Sequence, residues 1–470
     1  MMSEVCSPYF DPDFESLPER IYGPACRVNI DNESLEDCTI LKIDSVNKQG
    51  LLLEVVQTLT DMNLIISKGN ISSDAGWFMD VFQVKNELGN KVTDQRAINC
   101  IQQAIGSKSY TSLKAKARIS PSESQPDEPK AIEMTGKDRP GLFSEISAAL
   151  ADLGCNIIEA HAWSHNALLA CVAHISNKSN DTPIDDHRLH VIEDHLTTVL
   201  RATTSTGPGN PGPQEVKPAG LPRGELSTTT RVERRLHQLM LSGRDFDRPA
   251  WRTGSPTVSS DSEDDERRAS VSVESCIEKG YSIVTIECKD RRRLLFDTVC
   301  TLTDMQYMIF HASIDSCRGY AFQEYFIRHV DGCALNTEGE KDRVIKCLEA
   351  AIERRVCEGV RLELSAYNRI GLLSDITRVL RENGLAVVRA DVATQGEKSV
   401  NAFYVRDISG NNVDLESIRS MKREMGAIDL AVIKETTRPQ MTPDERPKLS
   451  IGEILRIQIE RISNGFIAIK

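Results

Sequence analysis

The sequence predicts an α+β protein made of four ferredoxin-like βαββαβ units that pair side by side around a disordered central linker. Three observations support this fold class. One pattern of residue types occurs four times, and every copy combines strand-like and helix-like periodicity in the same order. A segment rich in Pro, Gly and Ser separates the second copy from the third. A self-similar unit that recurs along a chain fixes the architecture before any single residue is considered.

Each copy of the repeated motif starts with Asn or Asp after a short apolar run. It continues through a tight turn to Gly or Arg, then to two large apolar residues and an acid two positions later. The copies, which define units 1 to 4, are Asn47 with Gly50, Leu51, Leu52 and Glu54; Asp138 with Gly141, Leu142, Phe143 and Glu145; Asp290 with Arg293, Leu294, Leu295 and Asp297; and Asn368 with Gly371, Leu372, Leu373 and Asp375.

The elements of unit 1 follow from local periodicity. Alternating or β-branched runs predict strands, and apolar residues at helical spacing predict helices. The predicted elements are strand 39–44, helix 51–59, strands 64–71 and 77–84 with a turn at 73–76, and helix 93–105.

The other units repeat this order. Unit 2 has strand 131–135, helix 142–153, strands 156–163 and 167–175, and helix 185–200; unit 3 covers 281–357; unit 4 covers 360–434 and ends in a strand at 429–433. Strands separated by helices, with one hairpin inside, give the βαββαβ order. Each unit is small, so its sheet edge is expected to pair with another unit rather than face water.

These units divide the chain into domains. The predicted boundaries are an N-terminal segment 1–36, unit 1 at 37–115, unit 2 at 129–203, a linker at 204–279, unit 3 at 280–359, unit 4 at 360–437 and a C-terminal tail 438–470. Composition predicts that residues 203–224 are flexible and that residues 255–275 are disordered. A basic amphipathic stretch at 231–241 lies between them. Arg267 to Ser270 fits a basophilic kinase, or is simply an unmodified solvated segment.

Composition limits the class of protein. The chain has 470 residues, 40% hydrophobic and 27% charged, which is enough to form cores. The net charge of −12 argues against a nucleic-acid-binding surface. No long apolar run or signal peptide is recognisable, so no membrane partner is expected. The thirteen cysteines are scattered without a CxxC pair, which favours free thiols in a reducing compartment, cytoplasmic or nuclear.

The repeated loop has two interpretations. Asn or Asp before a helix is an N-cap signal, and an acid in the first turn complements the helix dipole. Folding alone explains these features. Gly in the first turn is a poor helix former, so it suggests either a tight turn or a close approach by a ligand carboxylate to bare N–H groups.

The motif residues resemble a known family. Asp138-Arg139-Pro140-Gly141-Leu142-Phe143, followed by a helix and by Asn156-Ile157-Ile158-Glu159-Ala160-His161, is similar to the ACT domain, a βαββαβ ligand-sensing module. Four such units, with Glu233-Arg234-Arg235-Leu236-His237 in the linker, resemble the plant ACT-domain-repeat (ACR) proteins.

The resemblance implies a small-molecule amino acid ligand, held between two modules by the loop of one and the second strand of the other. It also implies possible homo-oligomers through ACT pairing. The candidate ligand-binding residues are Asn47, Gly50, Leu51, Asn70, Asp138, Arg139, Gly141, Leu142, His161, Asn368, Gly371, Leu372 and Asp391. Unit 3 departs from the pattern because Arg293 replaces the glycine, so its loop is expected to be structural or to bind a more acidic group.

No catalytic residue, metal site or cofactor is expected. His187, His190 and Asp194 share a helix face but are interpreted as surface residues. The leading hypothesis is a non-enzymatic amino-acid sensor with allosteric output. One alternative is an interaction scaffold in which the ACT modules are structural and the linker or tails recruit a protein partner, as the basic amphipathic segment 231–240 suggests. The other is an unrecognised enzyme.

Overall fold

The four units pair crosswise into two eight-stranded antiparallel sheets, unit 1 with unit 3 and unit 2 with unit 4. The computed structural model describes residues 26–46, 49–74, 77–117, 130–177, 184–202, 214–219, 229–247, 269–355, 360–408, 413, 415–426 and 428–433. All of them lie in one unit that ends at Ile433. Side-by-side pairing is confirmed, but the partners are not neighbours along the chain.

Units 1 and 3 form the first sheet. Unit 1 contains β1 (Arg27–Asp31), β2 (Thr39–Val46), α1 (Leu51–Asp61), β3 (Ile65–Asp74), β4 (Trp77–Lys85) and α2 (Gln95–Ala117). Unit 3 contains β9 (Ser270–Cys276), β10 (Tyr281–Lys289), α6 (Leu294–Asp304), β11 (Tyr307–Cys317), β12 (Tyr320–His329) and α7 (Glu338–Glu353). The strand order is β1-β2-β4-β3-β11-β12-β10-β9, with Asn70 opposite Ser313 at the junction.

Units 2 and 4 form the second sheet. Unit 2 contains β5 (Lys130–Lys137), α3 (Leu142–Asp152), β6 (Cys155–His165), β7 (Leu168–Asn177), α4 (Asp186–Arg201) and β8 (Glu215–Ala219). Unit 4 contains β13 (Val360–Tyr367), α8 (Leu372–Glu382), β14 (Leu385–Gln395), β15 (Lys398–Asp407), α9 (Leu415–Met425) and β16 (Asp429–Ile433). The strand order is β16-β13-β15-β14-β6-β7-β5-β8, with Asp391 opposite His161.

The ferredoxin-like fold class is confirmed, with one difference in chain order. Units 2 and 4 follow βαββαβ, and their last strands, β8 and β16, take the outer edge. In units 1 and 3 the same edge is occupied by β1 and β9, which precede the first helix and give ββαββα. Either chain order satisfies the hydrogen-bonding groups of that edge, because in each case the added strand pairs with β2, β10, β5 or β13.

The helices of each pair pack together on one face of its sheet. α1 lies against α6 in the first pair, and α3 against α8 in the second. Each pair shares one hydrophobic core: Leu53, Phe82, Phe296 and Ile314 belong to the first. The pairing therefore joins two small cores into one larger core, which buries more apolar surface per residue than a single unit can.

The segment between units 2 and 3 is more ordered than the sequence analysis expects. β8 pairs with β5, β9 pairs with β10, and 229–242 forms helix α5 (Thr229–Ser242). The expectation of a flexible linker therefore does not hold for these residues. The turn residues Ala75 and Gly76, Arg267 and Arg268 of the kinase motif, and the C-terminal tail lie outside the described residues.

α5 lies between the two sheets. One side contacts β6 and β7 on the helix-free face of the second sheet, and the other contacts α1 and α6 of the first pair. Val232, Leu236 and Met240 of α5 are buried with Trp163 and Val172. The strand β7 is consequently buried on both faces from Leu168 to Ser176. A strand covered on both sides reads as a continuous apolar run rather than an alternating one.

A β-bulge recurs at the same place in all four hairpins. The register of the inner strand shifts at Ile66/Lys68 in unit 1, Ile157/Glu159 in unit 2, Ile309/His311 in unit 3 and Val387/Arg389 in unit 4. An extra residue reverses which face the following side chains point to. The bulge thus decides which residues of β6 and β14 face the helices.

Crosswise pairing predicts which engineered cysteines will form a disulfide. Asn70→Cys with Ser313→Cys should form an intramolecular disulfide under mild oxidation, because directly opposed Cβ atoms lie about 4.5–5.5 Å apart. Peptide mapping by mass spectrometry would identify it against the native thiols. The matched control is Asn70→Cys with His161→Cys, which would cross-link only if unit 1 joined unit 2. A disulfide in the control and none in the first pair would contradict crosswise pairing.

Candidate functional site

The strand-to-helix loops place their Gly or Arg at the helix N-cap. Gly50, Gly141 and Gly371 have φ values of 84°, 87° and 80°, and Arg293 has 66°. None of these caps has a side-chain hydrogen bond. The expectation that Asn or Asp caps the helix is therefore wrong. The cap must adopt a left-handed conformation, for which glycine has no steric penalty.

The Asn or Asp of the motif has another role at the end of the strand. The carboxylate of Asp138 accepts the Arg139 backbone N–H at 2.8 Å and the Ser164 hydroxyl. Burial raises the pKa of Asp138, with the Ser164 hydrogen bond opposing it. In unit 4 the Asn368 amide instead donates to Oδ1 of Asn156 across the interface, at 3.2 Å. Asn47 lies outside the described residues.

The acid in the first helical turn closes the loop through an ion pair. Its partner is the arginine that follows the Asn or Asp: Arg139 with Glu145, Arg291 with Asp297, and Arg369 with Asp375. The helix dipole also favours the acid at this position. The acid was predicted from the sequence, but its arginine partner was not. This arginine directly follows the Asn or Asp of the motif in units 2, 3 and 4.

A pocket opens between the loop of unit 4 and the start of β6 of unit 2. The residues around it are Ser147, Ala151, Cys155, Asn156, Ile157, Asn368, Arg369, Ile370, Gly371, Leu372, Leu373, Ser374, Val392 and Ser399. Their side chains include five neutral hydrogen-bonding groups, one thiol and one cation. None of these side chains is a carboxylate. The candidates Asn368, Gly371 and Leu372 therefore belong to one site.

The first turn of α8 provides backbone donors at this pocket. The Leu372 N–H donates to the Arg369 carbonyl at 3.1 Å, and the first helical hydrogen bond runs from the Asp375 N–H to the Gly371 carbonyl at 2.8 Å. The intervening N–H groups of Leu373 and Ser374 have no helical acceptor, as at every helix start. Together with Arg369 they form a site suited to a carboxylate.

Two candidates, His161 and Asp391, are not at this pocket. They lie opposite each other on β6 and β14, with His161 Nδ1 2.8 Å from Oδ1 of Asp391. Their neighbours Ala160 and Ala390 face the helices and belong to the core. Side chains alternate across a strand, so the polar residue points to the helix-free face. The residue of β6 that meets the unit 4 loop is Asn156, nearer the start of the strand.

The remaining candidates divide between core and surface. Leu51, Leu142 and Leu372 are buried in the cores. Asn70 lies in the junction of the first sheet, opposite Ser313. Asp138, Arg139 and Gly141 stay together in the loop of unit 2, but the structure brings them against Arg381 of α8. Gly50 has open space around its Cβ position.

His161 is held between two carboxylates. Its Nε2 lies 3.1 Å from Oε1 of Glu159. Burial by itself lowers the pKa of His161, but hydrogen bonds to Asp391 and Glu159 outweigh it and raise the pKa to about 9. Burial would raise the pKa of Asp391, yet His161 and Arg389 hold it well below its usual range. The ring is therefore a cation that joins the two units at neutral pH.

The raised pKa predicts a pH-dependent stability. The contribution of His161 is fully present below its unfolded pKa of about 6.5 and is lost as the pH rises through about 9. The loss is roughly 3 kcal/mol. NMR titration of the ring and unfolding free energies from pH 6 to 9.5 would measure it in the wild type and in His161→Phe.

His190→Phe is the matched control for this experiment, since that ring is 74% exposed. A His161 ring that titrates at or below pH 6.5 would contradict the proposed charge. So would equal pH slopes of stability in the wild type and His161→Phe.

The loop of unit 3 is occupied by α5 rather than left open. Arg293 pairs with Glu233 of α5, and Arg355 also pairs with Glu233, at 2.7 Å. Nε of Arg355 lies 2.9 Å from Asp297. The guanidinium of Arg355 lies over the Trp163 ring at 4.8 Å. The loop without glycine is thus part of the contact that holds α5, which accounts for its departure from the pattern.

His237 links this cluster to a second buried ion pair. Its Nε2 lies 2.8 Å from Asp297, and Nη1 of Arg354 lies 2.8 Å from its Nδ1. Arg354 also donates to both oxygens of Asp245, at 2.6 and 2.7 Å. Burial lowers the pKa of His237 despite the Asp297 hydrogen bond. The ring is therefore neutral: it donates through Nε2 to Asp297 and accepts from Arg354 through Nδ1.

Sequence reasoning did not identify this cluster. The available signal was Glu233 and His237, which are four residues apart and lie beside the apolar positions Val232 and Leu236 of α5. Charged residues on the apolar side of a helix indicate buried partners. The burial of this face also removes the reason to regard 231–240 as a contact for another protein.

Glu233→Ala should destabilise the protein strongly. The change leaves the Arg293 and Arg355 guanidinium groups without their carboxylate, and breaking a buried pair costs about 3–5 kcal/mol. Denaturant unfolding would measure the loss. Glu215→Ala is the control, because its pair with Lys217 is 43–55% exposed and should change stability by less than about 0.5 kcal/mol. Equal effects of the two changes would contradict the assigned role of Glu233.

Fold and loops together define a class of protein. Paired ferredoxin-like modules, three of them with a glycine at the start of the first helix, are typical of ACT domains. Residues 34–112 match the family model described as the ACR family N-terminal ACT domain, and residues 130–174 match the ACT domain model. Among the described residues, no helix is long and apolar enough to span a membrane. In the same part of the chain, no group of three His, Cys, Asp or Glu side chains is placed to hold a metal ion.

Relatives narrow this class to one family. The chain is 58% identical to the ACT domain-containing protein ACR2 of Arabidopsis thaliana, over 100% of both chains. It is 48% identical to ACR3, over 90% of both chains, and 45% identical to ACR4, over 92% of this chain and 90% of that protein, both from the same organism. The chain belongs to the ACR family of ACT domain-containing proteins.

Proposed function

We propose that the chain is a non-enzymatic regulatory protein that binds an amino acid between the unit 4 loop and the start of β6. The pocket around Asn368, Gly371 and Asn156 is the observation that supports this proposal. It lies where two modules meet, so an occupant contacts both. Binding sites that combine apolar walls with a few convergent polar groups are typical of small-molecule pockets.

The chemistry of the pocket favours an uncharged polar amino acid. The N–H groups of Leu373 and Ser374, with Arg369, suit the ligand carboxylate. The amide oxygens of Asn156 and Asn368 suit the ligand ammonium group. Ala151, Ile157 and Val392 leave an apolar wall for the rest of the side chain. Because no carboxylate lines the pocket, a basic side chain would have no counter-ion there.

Binding would act on the pairing of units 2 and 4. A ligand that contacts the unit 4 loop and β6 stabilises the paired arrangement over any arrangement that separates them. One site stabilises its bound state by about 2.7 kcal/mol when the ligand is at a hundred times its Kd. At that ligand concentration, the site can shift a regulatory equilibrium by no more than this free energy.

Titration calorimetry with the twenty L-amino acids tests the proposal. We expect saturable binding with L-serine, L-asparagine or L-glutamine. Asn368→Leu should weaken it at least about tenfold, because a lost polar contact of about 1.4 kcal/mol is a factor of ten. Asn99→Leu, on the exposed part of α2, is the matched control and should bind as the wild type does.

Folding of each variant would be checked by circular dichroism. If no amino acid gives saturable heat with folded protein, the sensor proposal is wrong. If binding occurs but is unchanged in Asn368→Leu, the ligand binds elsewhere.

A further inference from the structure

The pairing of units 2 and 4 creates two equivalent places for a ligand. β6 and β14 run antiparallel across the junction, and α3 and α8 pack together above it. Each loop therefore faces the end of the other unit's first helix. The unit 4 loop faces Ala151, the residue before the last in α3, and the unit 2 loop faces Arg381, the residue before the last in α8.

The two places differ in what covers the loop glycine. A Cβ built on Gly141 would lie 2.8 Å from Cδ of Arg381 and 3.6 Å from its Cγ. A Cβ on Gly371 would have only Nη1 of Arg369, a residue of its own loop, within 4 Å, at 3.9 Å. The Arg381 stem thus lies directly on the unit 2 loop. The alanine at the equivalent position leaves the unit 4 loop open.

The burial of equivalent residues shows the same asymmetry. Phe143 and Leu373 are the second residues of α3 and α8, and Ser144 and Ser374 are the third. Ser144 and Phe143 are buried, at 5% and 8% exposure, whereas Ser374 and Leu373 are partly exposed and line the pocket. The second and third residues of the helix are therefore open to solvent on the unit 4 side and covered on the unit 2 side.

We propose that Arg381 occludes the unit 2 loop, so that the paired units bind one amino acid, at the unit 4 loop, instead of two. This inference rests on the proposed function. The occlusion is steric, since the contact with Gly141 is made by the methylene stem of Arg381. The hydrogen bond from Arg139 lowers the pKa of Glu145 in the first turn of α3, and the charge of Arg381 adds to this effect.

The first test uses thiol labelling and needs no amino acid. Ser374→Cys should react with iodoacetamide at least about tenfold faster than Ser144→Cys, because labelling follows the exposure of the thiol. Adding Arg381→Ala to Ser144→Cys should remove most of this difference. Adding Arg381→Met, which keeps the bulk without the charge, should leave Cys labelling at position 144 slow. Peptide mapping separates these positions from the native thiols.

Arg423→Ala in α9 is the matched control for loss of an exposed arginine, and should not alter labelling at position 144. Equal labelling of Ser144→Cys and Ser374→Cys in the otherwise wild-type chain would overturn the proposal. So would an Arg381→Ala background that leaves position 144 as slow as before in folded protein.

The second test counts sites by calorimetry with L-serine, L-asparagine and L-glutamine, each titrated separately. We expect Arg381→Ala to bind one more amino acid per chain than the wild type, and Ala151→Arg to bind one fewer. An unchanged number of sites in Arg381→Ala would overturn the occlusion while the sensor function stood. Saturable binding of L-glutamate that Arg381→Ala abolishes would instead make Arg381 a counter-ion and also overturn the occlusion.

Discussion

The antiparallel pairing of the inner strands, β3 with β11 and β6 with β14, is the constraint on which the rest of the structure depends. A single module of four strands would leave the inner strand with a row of unpaired backbone groups. Joining two modules satisfies those groups and merges their helices and cores. It also places the loop of one module beside the strand of the other, so the pocket exists only because of the pairing.

Units that pair crosswise share the same order of strands along the chain. Units 1 and 3 take their edge strand from the chain before the first helix, and units 2 and 4 take theirs from the chain after the second. Units with the same chain order thus pair with each other. The segment between units 2 and 3 supplies both kinds, β8 to unit 2 and β9 to unit 3, and α5 passes between the two sheets.

α5 depends on buried charge as well as apolar packing. Glu233 pairs with Arg355 and with the partly exposed Arg293, and Asp245 pairs with Arg354; the other four side chains are buried. Buried ion pairs cost desolvation and add little net stability, but breaking one is expensive. Any other position of α5 would leave these buried charges without partners, so the cluster favours this position of the helix. The loop of unit 3 has an arginine where the other three loops have glycine, and this arginine contacts α5.

The sequence by itself determined the four repeats, the order of most elements and the presence of a glycine turn at Gly50, Gly141 and Gly371, because each is encoded within a few adjacent residues. Only the tertiary structure decided which units pair, that His161 and Asp391 point away from the loops, and that Asn156 faces Asn368. The edge strands β1, β8 and β9 and the buried partners of α5 also came from contacts between distant residues. Strand edges and sheet faces select their partners over the whole fold, and no local pattern records that selection.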